Sequence, residues 1–512
     1  MKIVNRWPLL IFIASIIVLA AKVVSAQNDS SPNFLLLIGD DMSVETLNCY
    51  GVGADTAHTP NIDRLCQQGV RFDRFWAQPV CSPTRATMLT GQFGFRNGVG
   101  TPAGAPTNID WAVPEANADY PDIGRAGQGR SAGDPNGGAA NRRARANNAA
   151  GENARARPNA GNRQANVGSR PALRADAWTM LQALKLNEDA GYATAAVGKW
   201  HLADDKNGGL GHPNRVGFDY YAGGIKAAVE NYYGWSKVID GADPIGKTGY
   251  ATTDIIDDGI AWLNERGEEP WFLWVAFNAP HTPIQLPPAE LLRSEASLTL
   301  KADGSNGDLH AYYNAMIEAM DTEIGRLLGN IGDEVLANTH IIFMGDNGTP
   351  GNVTMPPFDR GRSKATVYQG GVNVPLIVKG PGFESGSNAE FANSVDMFAT
   401  ILELAGSDAA STLPTGVIID SVSMVPILSG GASLREFNYA DHFGAGRNGN
   451  SDERAMRTER FKLVQDFVND TEELFDLVED PYEKQNLLDG SLTEEANQSY
   501  QDLKTRLANL KV

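Results

Sequence analysis

The sequence predicts an α/β fold in which a large central sheet, mostly parallel or mixed, is sandwiched by helices. It also predicts a smaller C-terminal α+β domain with an antiparallel sheet. Short apolar runs typical of buried strands alternate with stretches of helical periodicity over most of the chain. Near the C-terminus the pattern changes to short alternating segments. With 512 residues, the chain is long enough for one large core with a satellite, or for two or three domains.

The first 26 residues have the pattern of a signal peptide. Lys2 and Arg6 precede an apolar run over residues 9–21, and small residues at 24–26 stand where a signal peptidase would cut. We therefore expect residues 1–26 to be removed and the protein to be exported, either periplasmic or secreted. The alternative is an uncleaved membrane anchor, although the apolar run is short for a membrane span.

Three apolar runs end in residues that are capable of chemistry. The runs 33–38, 271–277 and 340–344 are typical of strands buried on both faces. The residues that follow them are Asp40 and Asp41, Asn278 and His281, and Asp346 and Asn347. Because ligands bind at the carboxyl ends of strands in such sheets, we expect these side chains to meet along one edge.

The other elements of the large domain follow the same alternation. A fourth strand is expected near residues 375–378, and helices are expected near 178–190 and 311–328. Residues 424–430 are typical of a turn that closes this domain. Segments 461–464 and 473–477 then indicate antiparallel strands, and 493–510 indicates a terminal helix. We predict a catalytic domain over residues 27–430 and an α+β subdomain over 431–512.

Residues 101 to about 170 differ from the rest of the chain. They are rich in Gly, Ala, Asn and Arg, and we expect an irregular or disordered insertion. Between residues 125 and 170, nine arginines stand against two acidic residues. This basic segment is either a solvated spacer or a binding segment for the anionic groups of a polyanion, since arginine suits bidentate anion contacts.

The overall charge excludes some partners. With 62 acidic and 43 basic residues the formal net charge is -19, which argues against nucleic acid and against stable contact with an anionic membrane. Only Cys49, Cys66 and Cys81 are present. An odd number leaves one cysteine unpaired, and a bridge between Cys49 and Cys66 is permitted but not required.

A cation site is predicted from two oxygen-rich pairs. Asp40 and Asp41 follow a buried strand, and buried carboxylates need a compensating partner. Asp346 and Asn347 add further oxygen ligands, which favour calcium or magnesium over zinc. Each pair alone is compatible with a helix cap or a turn. Together they indicate one divalent cation.

Five basic residues are candidates for catalysis. Arg85 would project on the same side as Cys81 if a helix begins there. Lys199 and His201 are two residues apart and would share a face at an extended strand end. His281 lies between two prolines, and Lys364 precedes a Gly-Gly pair. Singly, each is more often a surface charge or a core histidine.

The stretch from Cys81 to Gly91 carries the strongest single signal. Its core Cys81-x-Pro83-x-Arg85, followed by Leu-Thr-Gly, resembles the signature of the formylglycine-dependent sulfatases, which are arylsulfatase-like members of the alkaline phosphatase superfamily. The bland alternative is a small buried hydrophobic cysteine. The resemblance continues in order along the chain, through segments at 33–41, 59–65, 191–202, 279–283, 345–348, 364–375 and 473–487.

The resemblance implies an alkaline phosphatase-like fold and the hydrolysis of an organic sulfate ester. It implies that a maturation enzyme oxidises Cys81 to formylglycine, whose hydrate supplies one hydroxyl to attack sulfur and a second whose deprotonation expels sulfate. It further implies one divalent cation, calcium first and magnesium as the alternative. The ligands would be Asp40, Asp41, the converted Cys81, Asp346 and Asn347.

The resemblance also implies a role for each basic residue. Arg85 and Lys199 would stabilise the diol and the charge on the sulfate oxygens. His281 and Lys364 would lie beside the bridging oxygen, where one of them protonates the leaving alcohol. His201 would take the proton from the second hydroxyl.

This chain departs from the family pattern at a few positions. Thr84 and Gln369 replace the family's usual Ser and Glu, and of the two only Gln369 bears on the charge balance around Lys364. We expect a sulfated carbohydrate as substrate, by association with exported family members that have acidic surfaces. The alternatives are a phosphonate or phosphate monoester hydrolase, or a noncatalytic binder of sulfated glycans if Cys81 is not converted.

Overall fold

A computed structural model describes residues 31–107, 109, 111, 114, 119–123, 172–188, 190–446 and 449–510. The predicted signal peptide and most of the predicted insertion lie outside these residues. The strands, β1 to β16 in chain order, are Asn33–Gly39, Val70–Phe72, Phe75–Trp76, Ala193–Gly198, Tyr220–Gly223, Trp235–Ile239, Ile245–Lys247, Trp271–Ala276, Thr339–Gly345, Leu376–Lys379, Gly386–Asn388, Ala392–Asn393, Asn438–Gly446, Gly449–Arg457, Phe461–Asp466 and Thr471–Asp476.

The α-helices range from single turns to a helix of 23 residues. In chain order, α1 to α14 are Pro60–Gln68, Cys81–Thr90, Gly94–Asn97, Met180–Lys185, His212–Arg215, Ala251–Asn264, Glu295–Leu298, Leu309–Ile331, Asp333–Ala337, Gln369–Val372, Met397–Leu404, Ala409–Thr412, Val425–Leu428 and Glu494–Asn509. None of the described helices is long and apolar enough to cross a membrane.

The predicted fold class is confirmed. Within the described residues, a mixed sheet of ten strands has the order β11-β2-β10-β9-β1-β8-β4-β5-β6-β7. Its centre, from β9 to β5, is parallel, whereas β10 runs antiparallel to β9 and β6 runs antiparallel to β5. A separate antiparallel sheet contains β13 to β16 in sequential order.

The central strands are apolar because both of their faces are covered. Residues alternate along β1, so that Leu36 and Ile38 pack in the core cluster that contains α2, whereas Leu35 and Leu37 pack in the cluster that contains α8. In the register of the sheet, Ile38 pairs with both Ala276 and Met344. The carboxyl ends of β9, β1 and β8 therefore lie side by side.

The C-terminal sheet packs against α14, and a buried cation contacts a third sheet that consists of β3 and β12. Lys462 and Glu483 form a fully buried ion pair, and the Lys462 ammonium lies 4.7 Å from the ring centre of Trp76 on β3. This contact joins the C-terminal sheet to β3, the strand that precedes Cys81 and α2. The boundary between residues 430 and 431 stays a prediction.

Two elements differ from the sequence expectation. The helix expected at 178–190 is limited to Met180–Lys185. A Thr179 capping box starts this helix, and the backbone forms turns between its end and Gly191. The turn expected at 424–430 contains the short helix Val425–Leu428, because Pro426 suits a first helical turn. Cys49 and Cys66, left open by the sequence, form a disulfide.

Candidate active site

The carboxyl ends of four neighbouring strands carry the predicted site residues. β9 leads to Asp346 and Asn347, β1 to Asp40 and Asp41, β8 to His281, and β4 to Lys199 and His201. Cys81 opens α2, which packs over the face that contains Ile38. The loop with Lys364 returns to the same place, since the Lys364 ammonium contacts Asp41. The structure therefore brings together residues separated by more than 300 positions.

Four acidic or sulfur side chains form a buried cluster. Ligand atoms of Asp40, Asp41, Cys81 and Asp346 all lie within 4.8 Å of one another. The Cys81 sulfur is 3.4 Å from Asp40 Oδ1. Beside them, Asn347 Nδ2 donates to Asp41 Oδ1 at 2.8 Å, whereas Asn347 Oδ1 is buried without a hydrogen-bond partner among the described residues. A hard divalent cation fits this set, because carboxylate and amide oxygens are the ligands it prefers.

Each carboxylate of the cluster also touches a basic side chain. Lys199 contacts Asp40, Lys364 contacts Asp41, and Arg85 donates to Asp346 Oδ2 through Nε at 3.1 Å and Nη2 at 2.8 Å. Three acids thus face three cations. An added divalent ion would leave the pocket with a positive surplus that attracts an anion, even in a protein of net charge -19.

The two adjacent aspartates have opposite electrostatic environments. Burial, followed by the charge of Asp346, raises the pKa of Asp40 to about 8. Burial would also raise the pKa of Asp41, but the ammonium groups of Lys364 and Lys199 act against burial, and the pKa is lowered. Burial penalises the charged form of Asp40, and a bound cation would offset that penalty.

Cys81 is the first residue of α2 and is only 2 % exposed. Burial, followed by the charge of Asp40, raises the pKa of the Cys81 thiol far above its ordinary value, although Lys199 Nζ lies 3.3 Å away. A cysteine in this environment stays protonated, and a protonated thiol is a poor nucleophile.

The two histidines have different neighbours at the cluster. Burial, followed by the charge of Lys199, lowers the pKa of His201, and its Nε2 is 3.3 Å from the carbonyl oxygen of Ala103. Burial likewise lowers the pKa of His281 to about 3, although Asp41 lies 3.8 Å away. Both imidazoles are therefore neutral near pH 7.

One local expectation is wrong. Lys199 and His201 do not leave β4 along an extended strand end, because His201 has a φ of 59°. Asp41 and Ala365, which neighbours Lys364, also have left-handed backbone conformations, with φ of 74° and 70°. Such conformations are costly for residues with a side chain and concentrate at functional sites.

The replacements Thr84 and Gln369 have clear structural roles. The Thr84 hydroxyl donates to the carbonyl oxygen of Asp346 at 2.5 Å and accepts from the Gln78 amide at 2.9 Å, so it fixes α2 to the end of β9. The Gln369 side chain accepts from the Trp76 indole at 2.9 Å. The charge balance around Lys364 that the Gln369 replacement implies stays a prediction.

Sequence reasoning missed a short strap beside the site. The predicted insertion begins at residue 101, but Ala103 N donates to Ser82 Oγ at 2.9 Å, and Ser82 Oγ donates to the His201 carbonyl oxygen at 2.7 Å. Farther along, Tyr120 stacks on Tyr233 with ring centres 3.9 Å apart. The aromatic residues at 111 and 120 were the available signal, since an unpacked spacer does not need them.

Two family models match the chain. The model described as Sulfatase matches residues 32–118 and 161–407. The model described as N-sulphoglucosamine sulphohydrolase, C-terminal, matches residues 360–512. The first contains the whole acidic cluster, and the second contains the antiparallel sheet.

Individual proteins give the same result. N-acetylgalactosamine-6-sulfatase of Canis lupus familiaris is 28% identical over 454 residues, which cover 83% of this chain and 70% of the relative. A sulfatase of Formosa agariphila is 26% identical over 561 residues, which cover 96% of this chain and 90% of the relative.

Two solved structures share the fold. The crystal structure of Ps i-CgsB has a TM-score of 0.68 and 21% identity, and covers 94% of this chain and 93% of its own. The structure of BT4656 with its substrate D-glucosamine-2-N,6-O-disulfate has a TM-score of 0.63 and 19% identity. The match covers 94% of this chain and 98% of the BT4656 chain.

Proposed function

The chain belongs to the sulfatase family and is a sulfatase, and we propose that its substrate is a sulfated carbohydrate. Supporting this choice, the relative from Canis lupus familiaris is named for a sulfated amino sugar, and BT4656 binds a sulfated glucosamine. The observation that carries the reaction is the convergence of Cys81, three carboxylates and three cations in one buried pocket.

We infer that Cys81 is converted to formylglycine by a maturation enzyme. The hydrated aldehyde supplies a hydroxyl nucleophile, which the buried and protonated thiol does not. Lys199 Nζ lies 3.3 Å from the sulfur of residue 81, and Arg85 lies one helical turn after residue 81 in α2. These two cations would bind the substituent at residue 81 and the sulfate oxygens, and would stabilise negative charge as it develops there.

The cation is proposed to be calcium, with magnesium as the alternative. Its protein ligands would be the oxygens of Asp40, Asp41, Asp346 and Asn347 together with residue 81. When bound, such an ion supplies Lewis-acid stabilisation of sulfate oxygens. The buried Asn347 Oδ1, which has no partner among the described residues, supports this ligand set.

Proton transfers are assigned to the remaining residues. Lys364 and His281 both lie against Asp41, and one of them would donate a proton to the bridging oxygen as the alcohol leaves. Burial would lower the pKa of Lys364, but the charge of Asp41 acts against burial and the pKa is raised, so Lys364 carries a proton near pH 7, whereas His281 is neutral. His201 is neutral, and it would accept a proton from a hydroxyl of residue 81. A neutral imidazole suits the role of a base.

We propose that the protein acts outside the cytoplasm. The N-terminal pattern supports export, and the Cys49–Cys66 disulfide is typical of an oxidising compartment. The net charge of -19 does not support nucleic acid as a partner, and it does not support stable insertion into a membrane.

The direct test is turnover on a panel of defined sulfated oligosaccharides with protein from its native host, in parallel with aryl sulfate, aryl phosphate and phosphonate esters. We expect release of sulfate from an oligosaccharide, and loss of activity in Cys81→Ala. Faster phosphonate or phosphate hydrolysis would support the rival hydrolase. Binding without turnover, with a thiol at residue 81 in the mass spectrum, would support the noncatalytic binder.

A further inference from the structure

The side chain of Asn278 is buried without a partner next to the acidic cluster. It is 1 % exposed, and both Oδ1 and Nδ2 are buried with no hydrogen-bond partner among the described residues. Buried amides in folded proteins are nearly always hydrogen-bonded, because desolvation without a partner costs free energy. Both polar atoms of the Asn278 amide therefore need a partner outside the described residues, either a ligand or water.

Backbone hydrogen bonds fix where Asn278 lies. Asn278 follows β8, whose neighbours in the sheet are β1 and β4. On one side, Phe277 N donates to the Ile38 carbonyl at 3.0 Å, and Asp40 N donates to the Ala279 carbonyl at 3.1 Å. These two bonds enclose residue 278 and hold it beside Asp40.

On the other side of β8, Lys199 N donates to the Ala276 carbonyl at 2.8 Å. Asn278 is therefore between the strand end that supplies the carboxylates and the strand end that supplies Lys199. Its own carbonyl accepts from His281 N at 2.9 Å, so the catalytic histidine loop begins at this residue.

The alternation of β8 indicates which face Asn278 uses. Trp274 and Ala276 pack in the core cluster that contains α2, whereas Val275 and Phe277 pack in the opposite cluster. The next position in this alternation is 278, on the α2 face. Cys81 and Arg85 approach the strand ends from that face.

The chemistry of a carboxamide suits a sulfate group. Sulfate oxygens are acceptors only, so they would meet Nδ2 and repel Oδ1. An amide adds a donor without a further charge to a pocket in which Asp40, Asp41 and Asp346 are already balanced by cations. From this placement we propose that Asn278 is a substrate-contacting residue whose Nδ2 donates to an oxygen of the sulfate group.

This inference rests on the proposed function, because it assumes that the pocket receives a sulfate ester. Its test therefore includes a measurement that does not need turnover. Inorganic sulfate, the product, is the probe, and its affinity for the metal-loaded protein is measured by calorimetry and as an inhibition constant. The variants are Asn278→Ala, Asn278→Ser and Asn278→Asp.

A matched control is available in Asn214. It also has a buried Oδ1 without a partner among the described residues, but it lies on α5, where its Nδ2 donates to Asp240. Asn214→Ala is expected to bind sulfate like the unaltered protein. Thermal unfolding of every variant reports whether the fold is kept.

We expect Asn278→Ala to weaken sulfate binding about tenfold or more, because a hydrogen bond to a charged group is lost. Asn278→Ser keeps a hydrogen-bond donor and should lose less affinity for sulfate. Asn278→Asp should lose most, since its carboxylate repels the anion. The value of kcat/KM for a sulfate ester should fall in the same order.

Unchanged sulfate affinity in Asn278→Ala would overturn the proposal, and would mean that water alone satisfies the amide. The same conclusion holds if only the thermal unfolding midpoint falls, or if the unaltered protein does not bind sulfate at all. Failure of the proposed function looks different: sulfate binds and depends on Asn278, but no sulfate ester is hydrolysed.

Discussion

At the residue scale, the pocket is arranged around charge rather than around a reactive thiol. The pKa of Cys81 is raised by burial and its sulfur lies among carboxylates, so the unmodified thiol stays protonated and is a poor nucleophile. The basic residues that surround it are instead placed to bind oxygens. This arrangement does not activate a thiol at residue 81, whereas it would stabilise an oxygen substituent at the same position.

Arg85 gives the sharpest residue-scale prediction. Its guanidinium is fully buried, donates twice to Asp346 and donates through Nη1 to the Lys199 carbonyl at 2.7 Å. Lysine has a single ammonium and cannot reproduce this fork. We expect Arg85→Lys to lower kcat by about 100-fold or more, the magnitude seen when one electrostatic donor is removed.

The control for this prediction is Arg174→Lys, which alters an exposed pair with Asp176. It should leave kcat unchanged, because exposed ion pairs contribute little. Steady-state kinetics with fully loaded, fully matured protein measures both variants. A kcat of Arg85→Lys within twofold or so of the unaltered value would contradict the assignment of Arg85 to transition-state stabilisation.

At the element scale, α1 and α8 are joined by one buried carboxylate. Asp321 on α8 accepts from the backbone amides of Asn61 at 3.1 Å and Ile62 at 2.7 Å, and so binds the first turn of α1. Burial outweighs these bonds and raises the pKa of Asp321 to about 6 from 3.8. The folded state therefore binds more protons than the unfolded state between these values.

The raised pKa of Asp321 makes the free energy of unfolding fall as the pH rises. Stability contributed by Asp321 is present below pH 4 and is lost as the pH rises from about 4 to about 6, by roughly 1–3 kcal/mol. Asp321→Asn has no proton to lose, so its free energy of unfolding should fall less across this window. Urea denaturation at several pH values measures the difference, and parallel curves for the two proteins would refute it.

A second element-scale link connects the C-terminal sheet to the loop of Lys364. Glu483 pairs with Lys462 inside the protein, accepts from Gln369 N at 2.6 Å, and its carbonyl binds Arg362. Glu483→Gln would leave the Lys462 ammonium buried without a counter-charge. We expect a loss of about 3–5 kcal/mol in the free energy of unfolding, measured by denaturant titration.

Glu495→Gln is the matched control, since Glu495 is exposed in its pair with Arg460. It should change stability by about 1 kcal/mol or less. Equal effects of the two substitutions would show that the Glu483 cluster does not hold the C-terminal sheet in place.

At the scale of the whole molecule, the sequence predicts the sheet and most of the site because both depend on short local patterns. The Asp40-Asp41 pair directly follows an apolar run, and parallel strand ends must share an edge. Other features depend on packing between distant segments. The left-handed His201, the Trp76 partner of Gln369 and the contact of Ala103 with Ser82 have no local sequence signature.

The basic insertion is also a question for the whole molecule. Because Tyr120 and Ile123 are packed against the large domain, a clean deletion removes residues 126–168. We expect the deletion to leave folding and the kinetics on a small aryl sulfate unchanged. On a polymeric sulfated glycan at low salt, a raised KM would identify the segment as a grip for the polyanion, and unchanged kinetics would identify it as a spacer.

The central claim is that residues from remote stretches surround one cation and an oxidised residue 81. A crystal structure of the protein purified from its native host tests this claim most directly. We predict density for an oxygen substituent at residue 81, and a cation with oxygen ligands from Asp40, Asp41, Asp346 and Asn347 at about 2.3–2.6 Å. A thiol at residue 81 beside a pocket that holds no cation would contradict it.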